Sequence, residues 1–107
     1  MIEVIYKDRS NPNTVTFYQD SVAIPFAGVT RMTCAFAGSA VIADSAVDPG
    51  LFDWSAGSGV VEFNFTTLAL PPGTYKATLV AYDALHPAGQ VLVHMRTNEL
   101  IFIVVDA

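Results

Sequence analysis

Along most of this chain apolar and polar residues alternate with a period of two, the signature of strands with one covered face. Val61, Phe63 and Phe65 point one way, and Glu62, Asn64 and Thr66 the other. Met32, Cys34 and Phe36 alternate with Arg31, Thr33 and Ala35, and Tyr75, Ala77, Leu79 and Ala81 with Lys76, Thr78 and Val80. Runs rich in Val, Ile, Phe, Tyr and Thr predict strands at Ile2–Lys7, Thr14–Tyr18, Val29–Phe36, Ala40–Ala43, Val60–Thr66, Tyr75–Asp83, Gln90–Met95 and Leu100–Val105. A brief extended piece is expected at Leu51–Trp54. The breaks are SNPN (10–13), PFAG (25–28), DPG (48–50), SAGSG (55–59), PPG (71–73) and HPAG (86–89). No segment carries a capped apolar stripe at helical period. The Ala-rich stretch from Ala35 to Ala46 reads as strand because Gly38, Val41 and Ile42 interrupt it.

Seven to nine short strands at this spacing predict a sandwich or small barrel. The stretch SGVVEFNFTTLALPPGTYKATLVAYD (58–83) decides between them. It reads as a strand, a tight turn, and a tyrosine opening the next strand. In immunoglobulin-like sandwiches a tyrosine at that place hydrogen-bonds back to backbone upstream, a device that Pro72, Gly73 and Tyr75 supply here. The expected fold is an all-β, immunoglobulin-like antiparallel β-sandwich in a single domain, residues 1–107. A chain of this length buries roughly 60–70 % of its unfolded surface, enough for a core without disulfides. The polar segment KDRSNPN is read as a loop between the first two strands.

The last strand breaks the alternation. Leu100, Phe102 and Val104 make one apolar face, and Ile101, Ile103 and Val105 make another. A strand apolar on both faces is covered on both, so the second cover is another chain, a loop or a terminal arm. Read as an edge strand, it offers a template for a partner. Ile101, Ile103 and Val105, with Leu92 and His94 from the neighbouring Val91–Met95, form the candidate interface.

Composition strengthens that expectation. Charged residues are 14 % of the chain, against about 25 % in an ordinary domain. Hydrophobic residues are 52 % and mean hydropathy is +0.45. A small domain has few interior sites, so some apolar residues are expected outside the core, where they mark protein contacts. The net charge is −5, and Lys7, Arg9, Arg31, Lys76 and Arg96 are scattered. No stripe neutralises phosphates, so no nucleic-acid partner is expected. No run approaches a membrane span. The opening MIEVIYKDRS lacks a signal-peptide pattern, which predicts synthesis in a cytoplasm.

Candidate chemistry is sparse, and no catalytic, cofactor-binding or metal site is assigned. Asp44, Asp48 and Asp53 fall within ten residues and could hold a hard cation. Their spacing does not follow an EF-hand, and Asp48-Pro49-Gly50 is a turn signal. Asp83 and His86 could orient a base, yet no nucleophile motif accompanies them. Ser58, in a Gly-rich turn, lacks the strand–helix context of a nucleophile elbow. His94 is expected to face solvent or a partner, and a site from both histidines and one aspartate is the weakest metal option. Cys34 reads as a small buried hydrophobe. Trp54 and Tyr82, joined by Tyr18 and Phe17, could make a sugar-stacking platform. A lone Trp at a strand end is more often a core plug.

Val60-Val61-Glu62-Phe63-Asn64-Phe65, the turn Leu70-Pro71-Pro72-Gly73-Thr74-Tyr75 and the strand Ala77-Thr78-Leu79-Val80-Ala81-Tyr82-Asp83 carry a family likeness. In these residues, about the C-terminal half, the chain resembles the small immunoglobulin-like β-sandwich proteins that tailed bacteriophages place on their virions. The resemblance implies a non-enzymatic structural protein: a capsid decoration or a neck or tail accessory component. It implies other virion proteins as partners, or the chain itself as a homo-oligomer, with location in the virion. The alternative is a carbohydrate-binding or adhesion module using Trp54 and loop tyrosines. The third reading is an enzyme built on Asp83 and His86.

Overall fold

The computed structural model describes residues 1–19, 21–54, 59–97 and 99–106. Eleven strands form among them: β1 (Ile2–Lys7), β2 (Asn13–Thr16), β3 (Tyr18–Gln19), β4 (Val22–Ala23), β5 (Arg31–Phe36), β6 (Ile42–Asp44), β7 (Phe52–Trp54), β8 (Val60–Phe63), β9 (Gly73–Tyr82), β10 (Gln90–Val93) and β11 (Ile101–Asp106). The one helical turn among the described residues is a 3₁₀ turn at Pro49–Leu51. There Asp48 accepts from the Gly50 amide at 3.0 Å, so the DPG break is an Asp-capped turn. Among the described residues no helix is long and apolar enough to cross a membrane. Ser58 and most of the SAGSG break lie outside the described residues.

Two sheets face each other. The larger runs β1-β11-β9-β5-β6, with β10 also on β9; the smaller runs β2-β8-β7. These are the G-F-C-C′ and B-E-D orders of an immunoglobulin sandwich, with β1 added beside β11. Residues Leu79–Ala81 of β9 pair with β5 on one side and with β10 on the other. β10 and β11 therefore lie end to end along one edge of β9.

The core is aromatic. All seven phenylalanines are buried. Phe102 and Phe36 of the large sheet meet at 5.8 Å, and Phe102 meets Phe63 of the small sheet at 5.7 Å and Phe65 at 5.5 Å. These are edge-to-face or steeply inclined contacts, the geometry that aromatic quadrupoles favour. Val61, Phe63 and Phe65, Met32, Cys34 and Phe36, and Ala77, Leu79 and Ala81 all point inward as their alternation predicts. Tyr75 is half-buried against this core; its hydroxyl donates to the Pro71 carbonyl at 2.6 Å, and its ring meets Phe36 at 6.2 Å.

Three expectations change in detail. β11 is not an edge strand: it pairs with β9 on one side and with β1 on the other. The β1–β11 pairing is parallel, unlike the rest of the sheets. The single strand expected at Thr14–Tyr18 divides at Phe17, because that ring turns into the core beside Phe26 and Phe63. The chain then makes the short β3–β4 hairpin, with Ser21 at φ 64. Gly59 anchors this arm. Its φ is +71, the Phe17 amide donates to its carbonyl at 2.8 Å, and a Cβ there would sit 2.7 Å from the Phe17 carbonyl oxygen.

Candidate functional site

Register places one continuous apolar stripe on the outside of the large sheet. Ile2 pairs with Ile101, Val4 with Ile103 and Tyr6 with Val105, so six apolar side chains stand on one face of β1 and β11. Their in-between neighbours point inward, where Ile5, Phe102 and Val104 are buried. Ile101, Ile103, Val105 and Val4 are half-buried by their neighbours. Ile2 remains 60 % exposed and Tyr6 40 %. The strand that flanks Ile101, Ile103 and Val105 is thus the N-terminal one, which widens the apolar surface instead of covering it.

The rest of that face continues across β9 and β5. Ile101 stands opposite Lys76 and Ile103 opposite Thr74. Farther along come Thr78, Val80 and Tyr82, opposite Ala35, Thr33 and Arg31. Val91 of β10 joins Val80. The Arg31 guanidinium holds Asp44 through two hydrogen bonds, at 2.9 and 2.5 Å, and its carbon lies 4.8 Å from the Tyr82 ring centroid. That bidentate pairing holds the Asp44 carboxyl below its ordinary pKa, helped by the Ala46 amide.

The structure gathers only part of the candidate interface. Ile101, Ile103 and Val105 share the stripe. Leu92 packs partly against the core, because a register shift between Val91 and Val93 breaks the alternation there. His94 sits in the following turn, its Nδ1 accepting from the Arg96 amide at 3.0 Å. Sequence reasoning missed Ile2, Val4 and Tyr6. The signal was partial: Ile2, Val4 and Tyr6 form a clean apolar set in IEVIYK, but Ile5 between Glu3 and Lys7 is the only hint that the opposite face is the buried one.

The other candidate groups have local work. Asp83 Oδ1 accepts from the amides of Leu85 and His86, at 3.0 and 2.8 Å, and lies 2.8 Å from His86 Nδ1. These contacts close an exposed loop, and the His86 hydrogen bond leads in lowering the Asp83 pKa. Among the described residues no group of three metal-ligating side chains converges. Asp44 is taken by Arg31 and Asp48 by its turn, while Asp53 faces solvent from β7. Cys34 is buried, which pushes its thiol pKa far up. Trp54 pairs with Val61 and packs against the core from the small sheet, whereas Tyr82 lies on the outer face of the large sheet under Arg31. Trp54 and Tyr82 form no common platform. Residues 8–12 of the KDRSNPN segment line a cleft of about 410 Å³ with Asn64, Thr66 and Thr67. Comparison of the chain with protein-family models, with curated proteins and with solved structures finds no match.

Proposed function

We propose that this chain is a non-enzymatic structural protein of a tailed-bacteriophage virion, a capsid decoration or a neck or tail accessory component, working by protein–protein assembly. The observation that carries the assembly reading is the two-strand apolar stripe of Ile2, Val4, Tyr6, Ile101, Ile103 and Val105 on the outer face of a closed sandwich. Apolar side chains gathered on one outer face, with Ile2 and Tyr6 exposed, support an interaction site there. The virion assignment rests on the resemblance in residues 60–83. Docking by apolar shape suits a symmetric array, where many weak contacts add through multivalency.

Incorporation into virions tests it. A tagged chain is expressed during infection, and purified particles are imaged by electron microscopy. Wild-type chain is expected at symmetric positions on capsid, neck or tail. The double variant Ile101→Lys/Ile103→Lys is expected to keep a cooperative melt, since both side chains point away from the core, and to be missing from particles. A wild-type chain that never enters particles defeats the proposal.

A further inference from the structure

The two histidines use their Nδ1 atoms in opposite senses. His94 Nδ1 accepts from the Arg96 amide at 3.0 Å. An accepting nitrogen carries no proton, so this ring is neutral and holds its proton on Nε2. His86 Nδ1 lies 2.8 Å from Asp83 Oδ1. A carboxylate only accepts, so there Nδ1 carries the proton and donates. A proton added to His86 goes to Nε2 and leaves its contact in place as an ion pair. A proton added to His94 has only Nδ1 to go to, where it evicts the Arg96 amide.

These two turns bound β10. Residues 83–89 lead into it from β9, and residues 94–97 lead out of it toward β11. Between them β10 is lightly held. Among the described strands it pairs with β9 alone, at Gln90–Ala81, Val91–Val80 and Val93–Leu79, with a register shift inside that short ladder. The exit turn is built on His94. The Thr97 amide and hydroxyl both donate to the His94 carbonyl, at 3.0 and 2.8 Å. The Met95 amide donates to Thr78 Oγ1 at 3.0 Å and fastens the turn to β9.

No neighbouring charge is paired with the His94 ring. Arg96 and Glu99 belong to its own connection, and Lys76 stands two residues from Thr78 on β9. The amine of Met1 is the other charge nearby in the fold, since the Met1 carbonyl accepts from the Ile101 amide at 3.0 Å. Across the sheet Thr78 stands opposite Ala35, which pairs with Ile42, so those positions bring no charge. Among the described residues none of these groups forms an ion pair with His94, whereas His86 has Asp83. The entry loop keeps its carboxylate in mild acid as well, because the His86 hydrogen bond, ahead of the His86 and Leu85 amides, holds Asp83 below the usual carboxylate range.

We infer that β10 is an acid-released strand: protonation of His94 opens the turn at residues 94–97 while the Asp83–His86 loop stays closed, so the strand loosens from its C-terminal end. Val93, buried in the neutral form, is the core residue uncovered first. The sign follows from the neutral ring being the closed form. The turn's contribution is complete above about pH 6.5, the ordinary range of a free histidine, and falls as pH drops below it.

Amide hydrogen exchange on the full chain, read by NMR and corrected for intrinsic rates, tests this at pH 7.5 and 5.5. Protection at Arg96 and Thr97 is expected to fall roughly tenfold, the effect of one proton taken up on opening about one pH unit below that range. Protection at Leu85 and His86 is expected to hold. His94→Asn places a non-titrating oxygen where it can accept from the amide two residues on, and is expected to show equal protection at both pH values. Unchanged protection at Arg96 and Thr97 in the wild type overturns the inference. So does an equal loss at Leu85 and His86, which would mean a general loosening, or the same loss in His94→Asn. If that variant does not fold, the contrast between the two turns of the wild type decides.

Discussion

The outer faces of the two sheets are dressed in opposite ways. On the small sheet, Glu62 faces out between Thr14 and Asp53 while Val61 and Phe63 face in. On β11 of the large sheet, Phe102 and Val104 face in, but Ile101, Ile103 and Val105 face out. Both sheets lend one side to the same aromatic core. Only one of them dresses the other side mostly in polar groups. Alternation along a strand thus reports one buried and one polar face, and its failure on β11 reports apolar side chains on both faces.

The sharpest break of this comparison sets two neighbours on β11 against each other. Phe102→Ala should cost about 3–5 kcal/mol, because it opens a cavity where four phenylalanine rings meet. Ile103→Ala, one residue on, should cost about 1 kcal/mol or less, the span of strand propensity alone. Chemical denaturation of both variants checks the ratio. Equal losses would mean that the outer face is core as well.

Tyr75→Phe comes next. The hydrogen bond to Pro71 is short, yet Pro71 is exposed, so water can satisfy its carbonyl when the hydroxyl goes. A loss of about 0.5–1.5 kcal/mol is expected, read as a lower melting temperature with an unchanged far-ultraviolet spectrum. On the small sheet, Glu62→Lys should stabilise by ~0.2–1 kcal/mol, since it turns a like-charge pair with the opposing Asp53 into an attractive one. A thermal melt that falls instead would show that the acidic outer face has a partner of its own.

The smallest effect is expected from pH at the Arg31–Asp44 pair. Arg31 holds Asp44 below the ordinary aspartate pKa. The stabilisation is therefore complete above about pH 3.9 and drains as pH falls through the lower native value. The melting temperatures of wild type and Arg31→Met should converge in that acid range. A difference that persists at the lowest pH would assign the role of Arg31 to its stacking on Tyr82.

Sequence carried the local parts of this picture well. The inward sets Met32–Cys34–Phe36 and Val61–Phe63–Phe65 and the Tyr75 corner are written in spacings of two to five residues. What escaped is set by distance or by irregularity. Nothing in IEVIYK specifies that its parallel neighbour lies about a hundred residues on, at Ile101–Asp106. The register shift between Val91 and Val93 carries no local marker, so alternation alone does not place Leu92 on a face. Trp54 was ambiguous until its pairing with Val61 turned it toward the core.

The parallel pairing of β1 and β11 also has a mechanical meaning. The two strands share six register pairs, from Ile2–Ile101 to Lys7–Asp106, and run in the same direction. A pull applied through the start of β1 and the end of β11 acts at opposite ends of their common ladder. The hydrogen bonds are then strained in shear, all together, and cannot peel apart one at a time. The first and last strands become a clasp, and the sandwich should yield abruptly, at a high tensile force, when a single molecule is stretched between those two points.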